Sequence, residues 1–242
     1  MIATKSRSEM PAKTATKTIA VLTIGQSPRP DRLSEEIQTV VGPGLRVIER
    51  GALDALSPTE IADLAPGAND YQLITLLRDG TTAQLSKKRI LHRLQEQIID
   101  LEDREGVVAT LLMCTGEFPA FTHRMPLVLP QAALYGVVIG LAAGERIASL
   151  TPLESQLDQA RQKWHEMGVT DVGIFAANPY LDDPLATVAA ASARARAAGA
   201  RILFMDCFGF DLAMKRAAQC AFGGPVILAR SLAARLLAEI IE

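Results

Sequence analysis

Val107–Met113 (VVATLLM) reads as a fully buried strand, and Cys114-Thr115-Gly116 follows it at once. A continuous run of apolar and β-branched residues belongs to a strand covered on both faces, as in parallel sheets. The Glu105-Gly106 turn and a polar helix precede it. Nearly the same grammar returns later, where Ala198-Gly199 leads into Arg201–Met205 (RILFM) and then Asp206-Cys207. The likeness is one of architecture, not of residue identity, and it implies two similar lobes.

Outward from these two segments, short apolar runs alternate with longer amphipathic ones, the pattern of β-α units. Thr18–Ile24 (TIAVLTI) is a buried strand closed by the polar loop Gly25-Gln26-Ser27-Pro28, and Asp31–Val40 reads as a helix. Leu45–Glu49 is a second strand. Ser57 and Pro58 mark a helix start, one as N-cap and the other in the first turn. Tyr71–Leu77 and Thr81–Leu85 flank Asp79-Gly80, a hairpin signal that predicts an antiparallel edge. Ser86 opens a helix through about Arg104, with Leu91, Leu94, Ile98 and Leu101 on one stripe. Arg146–Leu150, Asp171–Ala176 and Pro225–Leu228 read as later strands. Helices are expected up to Met167, over about Asp183–Ala198, and after Ser231.

Apolar residues form 49% of the 242-residue chain and charged residues 21%, a globular balance that excludes disordered and fibrous classes. The net charge of −2, with no clustered Lys and Arg, argues against nucleic acid or an acidic membrane as partner. Three widely spaced cysteines fit reduced thiols in the cytoplasm better than a disulfide framework. His92, His123 and His165 are never paired at i, i+4, so no metal site is expected. Residues 1–17 lack the apolar core of a secretory signal and read as a flexible tail. The longest apolar run, Ala132–Ala143, falls short of the about 20 residues of a membrane span.

In open α/β sheets ligands sit beyond the carboxyl ends of the strands, where helix N-termini also point. Cys114 and Cys207 occupy two such ends, and a thiol there is expected to have a lowered pKa. The plainer reading, a small buried hydrophobe, holds for Cys220 inside a helix and competes at the other two. Arg124 could clamp a carboxylate or simply face solvent. Asp206 could orient a partner or cap a helix, and Asn178 could donate to a substrate or make an Asn-Pro turn. Thr151 closes its strand before Pro152, while Arg29 and Arg230 flank strand ends with weaker claims.

The stretches TIGQSPRPD (23–31), LLMCTGEFP (111–119), SLTP (149–152) and LFMDCFGF (203–210) together resemble the AroM family, which is similar to the aspartate/glutamate racemase superfamily. The resemblance implies an α/β fold of two pseudo-symmetric lobes, each a largely parallel sheet flanked by helices. The first lobe is expected to span 18–118 with 208–242, and the second 119–207. It implies paired acid/base cysteines, Cys114 and Cys207, acting on the carbon α to a carboxylate without pyridoxal or metal. Thr115, Gln26 and Ser27 match positions that help hold a substrate, joined by Arg124, Thr151, Asn178 and Asp206 as candidates. The partner is then a small carboxylate-bearing metabolite, and the assembly admits a homodimer. Phe208 stands where superfamily members commonly carry Asn or Thr, which points to an aromatic or larger carboxylate. A non-catalytic metabolite-binding protein and a one-cysteine lyase or decarboxylase are the alternatives.

Overall fold

The computed structural model describes residues 16–241. Of the expected tail, residues 1–15 lie outside the described residues, and Lys17 already belongs to the first strand. The strands are β1 (Lys17–Thr23), β2 (Leu45–Gly51), β3 (Gln72–Leu76), β4 (Thr82–Ser86), β5 (Ala109–Leu112), β6 (Leu127–Val128), β7 (Ile147–Thr151), β8 (Val172–Ala176), β9 (Ile202–Met205) and β10 (Val226–Leu228). The helices are α1 (Leu33–Val41), α2 (Pro58–Ala62), α3 (Lys87–Arg104), α4 (Gln131–Ala142), α5 (Leu157–Glu166), α6 (Pro184–Ala197), α7 (Leu212–Phe222) and α8 (Ala229–Glu239).

Two all-parallel sheets carry the fold, in the orders β2-β1-β5-β6 and β8-β7-β9-β10. Counted within each sheet, both orders are 2-1-3-4. The internal repeat is therefore topological as well as architectural. In a 2-1-3-4 sheet the connections leave strands 1 and 3 in opposite directions, which opens a crevice at their carboxyl ends. The segments after β1 and β5, and after β7 and β9, hold the four motifs quoted above.

The expected return of the last strand to the first lobe is corrected by the pairing. β10 lies beside β9, in register Val226–Leu203 to Leu228–Met205, because a strand after a single crossover helix tends to land next to its predecessor. Only α8 crosses back, packing on α1 through Arg230, which bonds Asp31 at 2.5 Å and Glu36 at 3.1 Å. β6 likewise pairs with β5, so residues 127–128 belong to the first sheet although they fall in the expected second lobe.

The hairpin forms, but as a separate β3-β4 ribbon instead of a sheet edge. Its loop is a turn closed by Gly80 N–H to Leu77 O at 3.1 Å, with Gly80 at φ +87. Ser57 completes a capping box with Glu60. Ser86 precedes α3 without capping it through its hydroxyl, and Ser231 sits inside α8, donating to Leu228 O. α3 buries Ile90, Leu94, Ile98 and Leu101 completely, with Leu91 half-buried at the margin. Each such side chain contributes about 1.5–3 kcal/mol.

The largest core lies between the sheets. It joins Ile19, Val21 and Leu111 of the first with Ile147, Ile202 and Phe204 of the second, through Tyr135 and Trp164. Tyr135 belongs to α4, a helix that sequence patterning missed because its apolar residues run all round and show no stripe. Among the described residues no helix is long and apolar enough to cross a membrane.

Candidate active site

Cys114 lies in the loop after β5 and Cys207 in the loop after β9, each two residues beyond the third strand of its own sheet. Both are half-buried, and both border one small cavity of about 50 Å³. Each sulfur accepts the backbone N–H of the glycine two residues on, Gly116 or Gly209, at 3.3 Å in both cases. The two loops thus share a Cys-x-Gly turn. Gly209 has no room for a side chain, since a Cβ there would lie 2.6 Å from Tyr180 Cζ and 2.8 Å from Pro179 Cγ.

The two loops are stitched together beneath the cavity. Thr115 Oγ1 donates to Asp206 O at 3.2 Å, and Lys163 Nζ spans Thr115 O at 3.3 Å and Asp206 Oδ2 at 2.9 Å. The Tyr135 hydroxyl donates to the same Oδ2. Lys163 comes from α5, and the Lys163–Asp206 pair is almost wholly buried. Burial alone lowers an ammonium pKa, but the Asp206 carboxylate, with Tyr135 and Tyr71, outweighs it and holds Lys163 well above its usual value.

The β3 strand of the first lobe lines the cavity with Gln72 to Thr75, and Tyr71 just before it does so too. The strand is latched to the second lobe through Gln72, whose N–H donates to Gln159 Oε1 at 3.0 Å. Its carbonyl accepts Gln156 Nε2 at 3.1 Å and Gln159 Nε2 at 3.2 Å. Beside Cys207 stand Tyr180 and Arg29, both on the cavity wall; Arg29 directs Nε and Nη2 to Asp31 at 3.0 and 2.7 Å.

Burial pushes the Cys114 thiol up to about 12, against the Gly116 N–H and Lys163, which pull it down. The Cys207 thiol is also raised by burial, with the Gly209 N–H, Arg29 and Tyr180 opposing. The lowered thiol pKa expected from helix N-termini is therefore corrected: desolvation outweighs the local donors. Cys220 is the exposed thiol.

Of the other sequence-predicted residues, Thr115, Thr151 and Asp206 border the cavity. Gln26, Ser27, Asn178 and Arg124 do not. Gln26 joins Leu53 O and Arg78 N–H, and Ser27 gives its N–H and hydroxyl to Asp54, both at 2.6 Å. From the strand-one loop it is Ile24 and Arg29 that reach the site instead. Asn178 accepts the Tyr180 N–H at 2.9 Å, the turn role. Arg124 lies on the surface, bonded to Glu102 at 3.0 Å and to Asp103. Phe208 borders the cavity yet is 3% exposed, packed into the core with Trp164 and Phe204. Its aromatic ring therefore belongs to the interior and does not argue for an aromatic ligand.

Sequence reasoning missed Lys163, Tyr71, Tyr180 and the two glutamines. One signal was available. The chain has three tyrosines, and all three converge here, two on the cavity wall and Tyr135 behind Asp206.

Paired 2-1-3-4 sheets with a cysteine after the third strand of each define a protein of the racemase-type α/β fold. The comparisons agree. A family model described as AroM protein matches residues 19–241, and the chain belongs to that family. No curated protein matches it in sequence. Among solved structures it is similar to allantoin racemase from Pseudomonas fluorescens, with TM-score 0.61 and 14% identity over 93% of this chain and 90% of that one. Maleate isomerase from Pseudomonas putida S16 gives TM-score 0.59 at 14% identity, covering 93% of each chain. Arylmalonate decarboxylase gives TM-score 0.59 at 15% identity, over 93% and 91%. At such identities the likeness is one of fold.

Proposed function

We propose that this protein is a cofactor-independent isomerase or racemase acting at the carbon α to a carboxylate, with Cys114 and Cys207 as the acid/base pair. One observation carries the reading: two cysteines at topologically equivalent strand ends border a single small cavity, each sulfur receiving the N–H of the glycine two residues on. A carbon held between two such sulfurs can lose a proton to one and regain a proton from the other. The neighbours named as racemases and an isomerase share the fold on which that arrangement stands. Arg29, buried beside Cys207, is the cation placed to receive the substrate carboxylate.

The raised thiols fit cysteines that are both neutral when no ligand is bound. One thiol must ionise for turnover, and the N–H donors with Arg29 and Lys163 are the groups that stabilise the thiolate. A small carboxylate ligand is the partner this wall supports. The test is solvent exchange. In deuterium oxide, the protein should exchange the α-hydrogen of at least one member of a carboxylate panel. Cys114→Ser and Cys207→Ser should each abolish exchange on one face, since a hydroxyl is a far weaker acid than a thiol. A tight ligand that shows no exchange, isomerisation or decarboxylation overturns the catalytic reading. Loss of turnover in Cys207→Ser alone replaces the two-base reaction with a one-cysteine one.

A further inference from the structure

The two Cys-x-Gly turns share a second feature, behind the sulfurs. The N–H that each thiol accepts belongs to the peptide joining the middle residue of the turn to its glycine. In both turns the carbonyl at the other end of that peptide is held by a buried cation. Thr115 O accepts Lys163 Nζ at 3.3 Å, and the same peptide sends the Gly116 N–H to Cys114 Sγ at 3.3 Å. Phe208 O accepts Arg230 Nε at 3.0 Å and Nη2 at 2.6 Å, and its peptide sends the Gly209 N–H to Cys207 Sγ at 3.3 Å.

Each cation is anchored on its far side by carboxylates. Lys163 pairs with Asp206 at 2.9 Å, and Arg230 with Asp31 at 2.5 Å and Glu36 at 3.1 Å. The two cationic side chains are 8% and 1% exposed. Their helices are not counterparts, since α5 comes after β7, the first strand of the second sheet, and α8 after β10, its fourth. The internal repeat therefore does not account for the likeness. A neutral donor would satisfy a buried carbonyl with less desolvation than a buried cation demands. The charge does what a neutral donor does not. A peptide is planar and its C=O and N–H are conjugated, so a cation on the oxygen fixes where the N–H points and strengthens it as a donor.

Resting on the reading above that the cysteines ionise, we infer that Arg230 and Lys163 are paired positioning residues. Each aims and polarises, through one peptide, the N–H that receives the charge of its thiolate. Arg230 does not border the cavity, so its reach to Cys207 runs through the turn. Lys163 does border it and adds its own field at Cys114.

The test needs no substrate, so its outcome is separate from that of the exchange experiment. The full chain is alkylated with iodoacetamide at about pH 8, and peptide mass spectrometry gives each rate relative to exposed Cys220. Arg230→Gln should slow Cys207 about 10-fold and leave Cys114 unchanged, and Lys163→Met should slow Cys114 and leave Cys207 unchanged. General loosening would do the reverse, since opening a buried thiol speeds its alkylation. Arg230→Lys keeps the charge but lacks the paired Nε and Nη2 hold on Phe208 O, so Cys207 should react at a rate between the other two. This variant decides the case if Arg230→Gln fails to fold. NMR of ¹⁵N-glycine-labelled protein is the second measurement. The Gly209 amide proton should move upfield in both Arg230 variants, and the Gly116 proton only in Lys163→Met. An unmoved Gly209 proton in the Arg230 variants, or Cys207 alkylated as fast as in the wild type or faster, overturns the inference. If the predicted changes appear and no carboxylate exchanges its α-hydrogen, the positioning stands and the catalytic reading falls.

Discussion

Replacing Lys163 with methionine keeps the aliphatic volume of the side chain and deletes its charge. In the wild type the ammonium lies 2.9 Å from Asp206 Oδ2, with the two side chains 8% and 1% exposed. At an effective dielectric near 20 that separation is a gross attraction of about 6 kcal/mol, most of it offset by the desolvation of both groups. The variant keeps the desolvation of Asp206 and loses the attraction, along with the hydrogen bond to Thr115 O. Orphaning one member of a buried pair costs about 3–5 kcal/mol, a large share of the about 5–15 kcal/mol that holds a domain folded. Urea unfolding followed by circular dichroism should show a loss of that size. Lys163→Met/Asp206→Asn should recover at least half of it, because the unpaired charge is gone while Tyr135 keeps an acceptor. The sign with pH follows from the raised ammonium: its contribution is full below the unfolded lysine pKa of about 10.4 and fades only as pH climbs through the folded value. The wild-type advantage should therefore persist from neutral pH to about pH 10. A loss under about 1 kcal/mol, or no recovery in the double variant, would refute the reasoning.

Four further outcomes are expected. At pH 7 iodoacetamide should modify exposed Cys220 before Cys114 and Cys207, whose thiols burial raises, and α-exchange should climb steadily from pH 6 to 9; peptide mass spectrometry that finds Cys114 modified first, or a rate maximum near pH 7, contradicts this. Arg124→Ala should leave ligand binding and exchange unchanged, because the exposed Arg124 pairs with Glu102 and Asp103, none of which borders the cavity. Gly51→Ala should destabilise by about 1–3 kcal/mol in thermal or urea unfolding, since the added Cβ would meet Gly25 O at 2.5 Å and Ser27 N at 2.7 Å, both backbone atoms with little freedom to move.

What the sequence determined by itself was the grammar of strands and helices and the place of the two thiols. Buried parallel strands such as VVATLLM and RILFM carry their own signature in continuous apolar residues, and a cysteine at the end of such a run is placed at a carboxyl edge by chain geometry alone. The ordered motifs 23–31, 111–119, 149–152 and 203–210 also pointed to the family that the chain belongs to. Sequence position could not say which way a loop residue turns. Ser27 sits in the right loop and turns to Asp54, while Arg29, two residues on, turns inward. Nor could it join partners far apart in the chain. Lys163 and Asp206 are 43 residues apart, Tyr135 and Asp206 are 71 apart, and only the packing of α4 and α5 beneath the second sheet brings the three together. The assignment of β10 to that sheet was likewise decided by strand pairing, to which an isolated three-residue run such as Val226–Leu228 gives no clue. Tertiary structure also set the thiol chemistry: local donors at the strand ends favour the thiolate, and desolvation by burial overrides them.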